Sequence, residues 1–217
     1  MPEPYRAAVY YAPEADDPLW PAGCAWLGRN PETGEDFAAP YPDLTTDPRR
    51  YGFHATLKAP MLLRHGLAAF VQDAAHLAAR STAFDLAPLA VTDLRGFLAL
   101  CYESCRAMDG LAAECVLALD HHRVPEDKAV QAQRAAGRTP RQAANIELWG
   151  YPYVLEDFLF HMTLTNCLEP NPLTATAEAY FAPALALPRR VASLAVFVED
   201  TRGAPFRLSH RLPFPPT

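Results

Sequence analysis

Two periods run along the chain, and each marks a different kind of element. Residues 6–11 (RAAVYY) are a short β-rich run and read as a strand. Residues 43–50 (DLTTDPRR) are polar without periodicity and predict a loop. From 51 to 57 apolar and polar residues alternate, as on a strand with one buried face. Residues 66–79 switch to helical spacing, with Leu67, Phe70, Val71, Ala74 and Ala78 apolar. Residues 84–94 and 97–102 read as strands turning at Arg95-Gly96. A second helix is predicted over 109–122. Residues 125–145 are helical but polar, with a break at 137–140. A strand at 158–165, a short helix at 173–181 and strands at 191–198 and 206–212 follow. Strands outnumber what two βαβ units would supply, and several neighbours are a hairpin turn apart. The pattern predicts an α+β fold with mostly antiparallel sheets in one domain.

Composition supports a packed core, since 50% of the 217 residues are apolar and 20% charged. The five cysteines (Cys24, Cys101, Cys105, Cys115, Cys167) are an odd number without a C-x-x-C pair, which argues against a disulfide or zinc framework. No apolar run approaches the ~18–20 residues of a membrane helix, and the acidic N-terminus has no signal-peptide apolar core. A reduced, cytoplasmic, soluble protein is expected. The net charge of −6 argues against a nucleic-acid coat protein. Charge is uneven: residues 1–48 carry nine acids against Arg6 and Arg29, whereas 123–141 carry Arg123, Lys128, Arg134, Arg138 and Arg141 against two acids. That basic segment is either a solvated helix face or a flap over an anionic substrate.

One five-residue pattern occurs twice. Phe53-His54-Ala55-Thr56-Leu57 and Phe160-His161-Met162-Thr163-Leu164 both read F-H-x-T-L, half a chain apart. With 7 His in the chain, a single H-x-T-L run is expected on the order of 0.05 times, so two copies are not chance. Alternate residues of a strand share a face. His54 and Thr56 therefore point one way and Phe53, Ala55 and Leu57 the other, and the second copy repeats this. Two imidazoles flanking a phosphate make a base–acid pair near neutral pH. Two threonine hydroxyls can donate to its non-bridging oxygens. The set lacks the third ligand and carboxylate of a metal hydrolase, and no metal or other cofactor is expected.

With one H-x-T motif per half, the chain resembles the 2H phosphoesterase superfamily. The resemblance implies a bilobal α+β fold over 1–217, with an antiparallel sheet in each lobe, helices outside and the motif strands facing across a cleft. It implies that His54 and His161 are the acid/base residues and Thr56 and Thr163 the phosphate donors. Arg50-Tyr51-Gly52-Phe53-His54-Ala55-Thr56-Leu57-Lys58-Ala59-Pro60 and Trp149-Gly150-Tyr151-Pro152-Tyr153 resemble a bacterial branch whose genes lie beside those for carbon–phosphorus bond cleavage. The helical segment at about 123–157 would be that branch's insertion. The association implies a small-molecule substrate, 5-phosphoribosyl 1,2-cyclic phosphate, with no long nucleic acid and no membrane as partner. The same chemistry on 2′,3′-cyclic phosphates of RNA ends or nucleotides, or a non-catalytic phosphate-ester binder, are the alternatives.

Further contacts are expected around the four motif residues. Lys58, on the same face by alternation, is either a phosphate contact or an exposed strand-end lysine. Tyr51 reaches the site if Gly52 permits a bulge. Tyr151 and Tyr153 either line the cleft mouth or pack a loop. Arg138 and Arg141 are candidates for a second phosphate, because guanidinium forks match phosphate oxygens. His121 and His122, adjacent on a helix, are expected to face different sites, and His65, His76 and His210 to carry no role.

Overall fold

The computed structural model describes residues 3–216; Met1, Pro2 and Thr217 lie outside them. The first half supplies β1 (Arg6–Tyr11), α1 (Leu19–Leu27), α2 (Thr46–Tyr51), β2 (Ala55–Met61), α3 (Gly66–Arg80), β3 (Phe84–Asp85), β4 (Ala90–Leu94) and β5 (Phe97–Cys101). The second half supplies α4 (Arg106–Leu119), α5 (Lys128–Ala135), α6 (Pro140–Trp149), β6 (Met162–Thr163), α7 (Thr174–Leu185), β7 (Arg190–Val191), β8 (Ser193–Glu199) and β9 (Arg207–Pro213). The fold is α+β with two antiparallel sheets. Among the described residues no helix is long and apolar enough to cross a membrane.

The large sheet has the order β4-β5-β6-β2-β1-β8-β9, and β3 pairs with β7 in a small second sheet. The expected lobes are therefore two leaves of one sheet, and the motif strands are neighbours. β2 and β6 share a single register pair, Ala55↔Met162. One leaf is β9-β8-β1-β2 and the other β6-β5-β4. β8 (SLAVFVE) is buried at every position, which its apolar run anticipates for a strand covered on both faces. α3 packs on β8 and β9, α4 on β2, and α7 on β4 and α1. The hairpin turn falls at Arg95-Gly96 as expected, with φ of 57° and 100°, and the Gly96 N–H donates to Asp93 Oδ1.

Three local departures shape the site. Residues 43–50, expected as loop, form a 3-10 turn (Pro42–Leu44) and α2. Their orphan polar groups are met from the other leaf: the Asp47 N–H donates to Asn166 Oδ1 at 2.9 Å, and Asn166 Nδ2 donates to Thr46 Oγ1 at 2.8 Å. Tyr51 consequently ends a helix, and Gly52 at φ 80° turns the chain into β2. Lys58 neither reaches the cavity nor meets solvent. A bulge breaks the alternation, because Tyr10 pairs Thr56 but Val9 pairs Lys58. Neighbours on β1 point to opposite faces, so Lys58 leaves the face of Thr56 and lies buried in an ion pair with Asp120 beyond α4.

Candidate active site

Burial alternates through both motifs. Phe53, Ala55, Leu57, Phe160, Met162 and Leu164 are buried, whereas His54, Thr56, His161 and Thr163 are half-buried on the opposite face. In antiparallel register, Ala55↔Met162 sets His54 opposite Thr163 and Thr56 opposite His161. All four line one cavity of about 420 Å³. The apparent twofold axis passes between Ala55 and Met162, and it extends to the next contacts. The His54 Nδ1–H donates to Gly52 O and the His161 Nδ1–H to Leu159 O, both at 2.8 Å and both two residues back. With Nδ1 so assigned, each neutral ring keeps its Nε2 lone pair for the cavity. His54 Nε2 lies 3.3 Å from Thr56 Oγ1.

The two imidazoles differ in setting. His54 stacks on Tyr10, with ring centroids 3.8 Å apart. Its neighbour Phe53 presses on α1 at Gly23, where an added Cβ would stand 2.2 Å from the ring. Burial pushes His54 down to about 4, with the Gly52 bond opposing and the His161 charge adding to the shift. Burial also lowers His161, opposed by its bond to Leu159, and its ring meets Phe97 at 6.0 Å. His161 further lines an adjoining cavity of about 610 Å³.

Around this quartet the structure collects some expected residues and some the sequence did not single out. Tyr51 lines the cavity, its ring stacked on Phe206 at 5.2 Å and 6.3 Å from His54. Tyr151 also lines it, and burial raises its hydroxyl to about 12. Tyr153 and Arg138 line the adjoining cavity and are hydrogen-bonded to each other. Arg141 lines neither: it forms a two-pronged ion pair with Asp157 at 2.6 and 3.0 Å, facing solvent. The guanidinium groups at the quartet are Arg6 and Arg134. Arg6 is held by the fully buried Glu199, which also holds Arg50, and Arg134 pairs with Glu126 across the cavity mouth. The parity of β1 offered one signal, since Arg6 and Tyr10 are an even number of residues apart and face the same way.

The segment 123–157 covers the cavity with Glu126, Arg134, Gly150 and Tyr151. Among its bases, Arg123 turns inward to Asp120, with both bonds at 2.8 Å, under Gly150. The basic run is thus mixed: Lys128, Arg138 and Arg141 are exposed, whereas Arg123 and Arg134 are partly buried. Its guanidinium groups each have a hydrogen-bond partner; Arg134 lines the cavity of the quartet, and Arg138 lines the adjoining cavity that His161 shares.

The chain is 37% identical over 229 residues to a ribose 1,5-bisphosphate phosphokinase PhnN from Janthinobacterium sp. (strain Marseille), covering 96% of this chain and 51% of that one. It is 39% identical over 215 residues to the protein of the same name from Laribacter hongkongensis (strain HLHK9), covering 94% and 50%. The chain thus spans about half the length of these relatives. Among solved structures it is similar to E. coli LigT in apo form, at 15% identity and a TM-score of 0.46, covering 99% of this chain and all of that one. A family model described as protein of unknown function (DUF1045) matches residues 56–207. That match takes in β2 from Thr56 onward, the second motif and all of β8, and the chain belongs to the DUF1045 family.

Proposed function

We propose that the chain is a 2H-type phosphoesterase that opens a small phosphorylated sugar cyclic phosphate, with its chemistry carried by two His-Thr pairs and no metal. The observation that carries this reading is the crossed register His54–Thr163 and Thr56–His161 in one cavity. Water attacks phosphorus, and His54 takes its proton. The ring P–O bond breaks, and His161 gives a proton to the departing sugar oxygen, leaving a phosphate monoester and a hydroxyl. Thr56 and Thr163 donate to the non-bridging oxygens as charge builds on them. His54 suits the base, because its lower proton affinity keeps it neutral.

5-Phosphoribosyl 1,2-cyclic phosphate fits the reading. Breaking its bond from phosphorus to O2 gives ribose 1,5-bisphosphate, the compound in the name of the curated relatives. A cavity of about 420 Å³ suits a sugar bisphosphate, and Arg6 and Arg134, each also paired with a glutamate, bring positive charge to its wall. The test is a phosphorus NMR assay with EDTA present, offering this compound and a 2′,3′-cyclic nucleotide separately. Selective opening of the sugar phosphate supports the reading. Selective opening of the nucleotide moves the substrate to RNA ends or nucleotides. No turnover of either removes the enzyme assignment for these substrates.

Two expectations follow from the geometry. The profile of kcat/KM against pH should be a bell lying in the acidic range. It rises through about pH 4 as His54 loses its proton and becomes a base. It falls as His161 loses its proton, below the ordinary 6.5 because burial lowers it. A flat profile, or an alkaline optimum, would overturn the pairing. Thr56→Val and Thr163→Val should each slow turnover about 10–10³-fold, the loss of one donor, with little change in KM. Steady-state kinetics on both variants checks this, and unchanged kcat in both would remove the donor role.

A further inference from the structure

Three of the chain's seven histidines reach one carboxylate, a fourth stands beside them, and none of the four lines the catalytic cavity. Asp73 lies midway along α3. The 3-10 turn Asp120–His122 ends α4 beside it. His121 and His122 were expected to face apart, but the helix stops at Leu119, and on the tight turn their rings lie 4.1 Å apart. Both Nε2 atoms reach the same oxygen: Asp73 Oδ2 is 3.1 Å from His121 and 2.9 Å from His122. His76 Nδ1 lies 3.7 Å from the other carboxylate oxygen, and the His65 ring stands edge-on 5.7 Å from His122.

We propose that Asp73, His121 and His122 bind one divalent first-row transition cation of the zinc class, tying α3 to the turn that ends α4. Two imidazoles and a carboxylate are the donor set that such ions prefer, and softer thiolates and hard all-oxygen cages are absent here. The three ligand atoms already lie within 4.8 Å of one another. Metal bonds of ~2.0–2.2 Å at tetrahedral angles require separations of ~3.3–3.5 Å. The two carboxylate edges, at 3.1 and 2.9 Å, therefore open by a few tenths of an ångström, which side-chain rotation supplies. His122 is fixed by burial, whereas His121 and Asp73 are open to solvent, so the ion can enter and water can take the fourth position. Among the described residues the buried His122 Nδ1 has no partner, so none of them orients that ring from behind. Affinity should be ~10–100-fold below that of a site with a complete outer shell.

The same turn carries Asp120, which holds Lys58 of β2 and Arg123 at the root of the 123–157 segment. A cation on the turn would brace that root without touching the reacting groups. The test is titration of the metal-stripped full chain with Co²⁺ and Zn²⁺, read by calorimetry, by the visible absorption of four-coordinate Co²⁺ and by thermal unfolding. The expected result is one ion per chain and a Tm raised ~5–10 °C by Zn²⁺ at ~100 times its Kd. His121→Ala and Asp73→Asn should abolish both effects, and His54→Ala should abolish neither. His121 is exposed, so its truncation leaves the fold intact, as circular dichroism can verify. No stoichiometric binding, binding that survives both ligand variants, or binding lost with His54→Ala would each overturn the proposal.

Discussion

His161→Ala is expected to slow ring opening about 10²–10⁴-fold, equivalent to roughly 3–5 kcal/mol of barrier, while the protein folds normally. The side chain is well placed for a clean experiment. It lies half-buried in the wall between two cavities, its ring bonds to Leu159 O and to no other described residue, and its aromatic neighbour Phe97 is 6.0 Å away. Truncation therefore removes a proton donor and little packing. His54 is a harder target, because its ring stacks on Tyr10 and stands near Phe197. His54→Asn is the better substitution there, since an amide can still donate to Gly52 O but presents nothing where Nε2 stood. It should lose activity on the same scale. The double variant should fall little below either single one, because a base without its acid, or an acid without its base, has already lost the concerted step. Wild-type rates in His161→Ala, measured by phosphorus NMR on protein of native circular dichroism, would falsify the base–acid reading.

Glu199→Ala should cost about 3 kcal/mol in urea unfolding and raise KM for the anionic substrate. Glu199 is fully buried, and its carboxylate receives Arg6, Arg50 and the Gly203 N–H. Removing it strands two guanidinium groups. The cost sits near the low end for broken buried pairs because Arg6 and Arg50 are 27% and 37% exposed and can turn to water. An exposed pair such as Arg207–Asp200 should matter by less than about 1 kcal/mol. KM responds because this carboxylate fixes Arg6 in the cavity and α2, with Tyr51, beside it. The pH dependence has a definite sign. Burial raises the Glu199 pKa, but Arg6, the Gly203 N–H and Arg50 outweigh it and hold the group below its ordinary 4.5. Its stabilising contribution is complete above that value and is lost as pH falls through the folded pKa. Wild-type stability should therefore drop more steeply than that of the variant below about pH 4.5. Parallel curves would count against the triad.

The parts of the molecule readable in the sequence are those governed by local periodicity. β1, α3, the Arg95-Gly96 turn and the break between α5 and α6 all lie where alternation, helical spacing or turn residues put them. The duplicated H-x-T was readable for the same reason, since its chemistry lies on one face of a strand. What could not be read is decided by partners distant in sequence. α2 owes its first turn to Asn166, and Arg6 owes its position to Glu199. Lys58 changed faces because a bulge inserts one residue, which no composition rule announces. Chemistry singles out Arg138 and Arg141 as guanidinium groups, but their partners Tyr153 and Asp157, 15 and 16 residues away, could not be read from it. The pairing of His121 and His122 on Asp73 depended on where α4 stops.

The Ala55↔Met162 pair is the entire ladder between β2 and β6, yet one imidazole travels with each strand. The gap between the two imidazoles is accordingly not a property of either motif. It is the opening of a pair of tongs whose pivot is two small backbone groups. A phosphate gripped by Thr56 on one arm and Thr163 on the other would set that opening itself, so that the molecule to be cut gauges the tool. Any distant contact across the pivot then acts as a stop screw. Trp26, whose Nε1–H on α1 reaches Leu164 O just beyond the second motif, is the contact to vary first. Variation at these stops would retune the spacing of the two histidines while leaving both motifs letter-perfect.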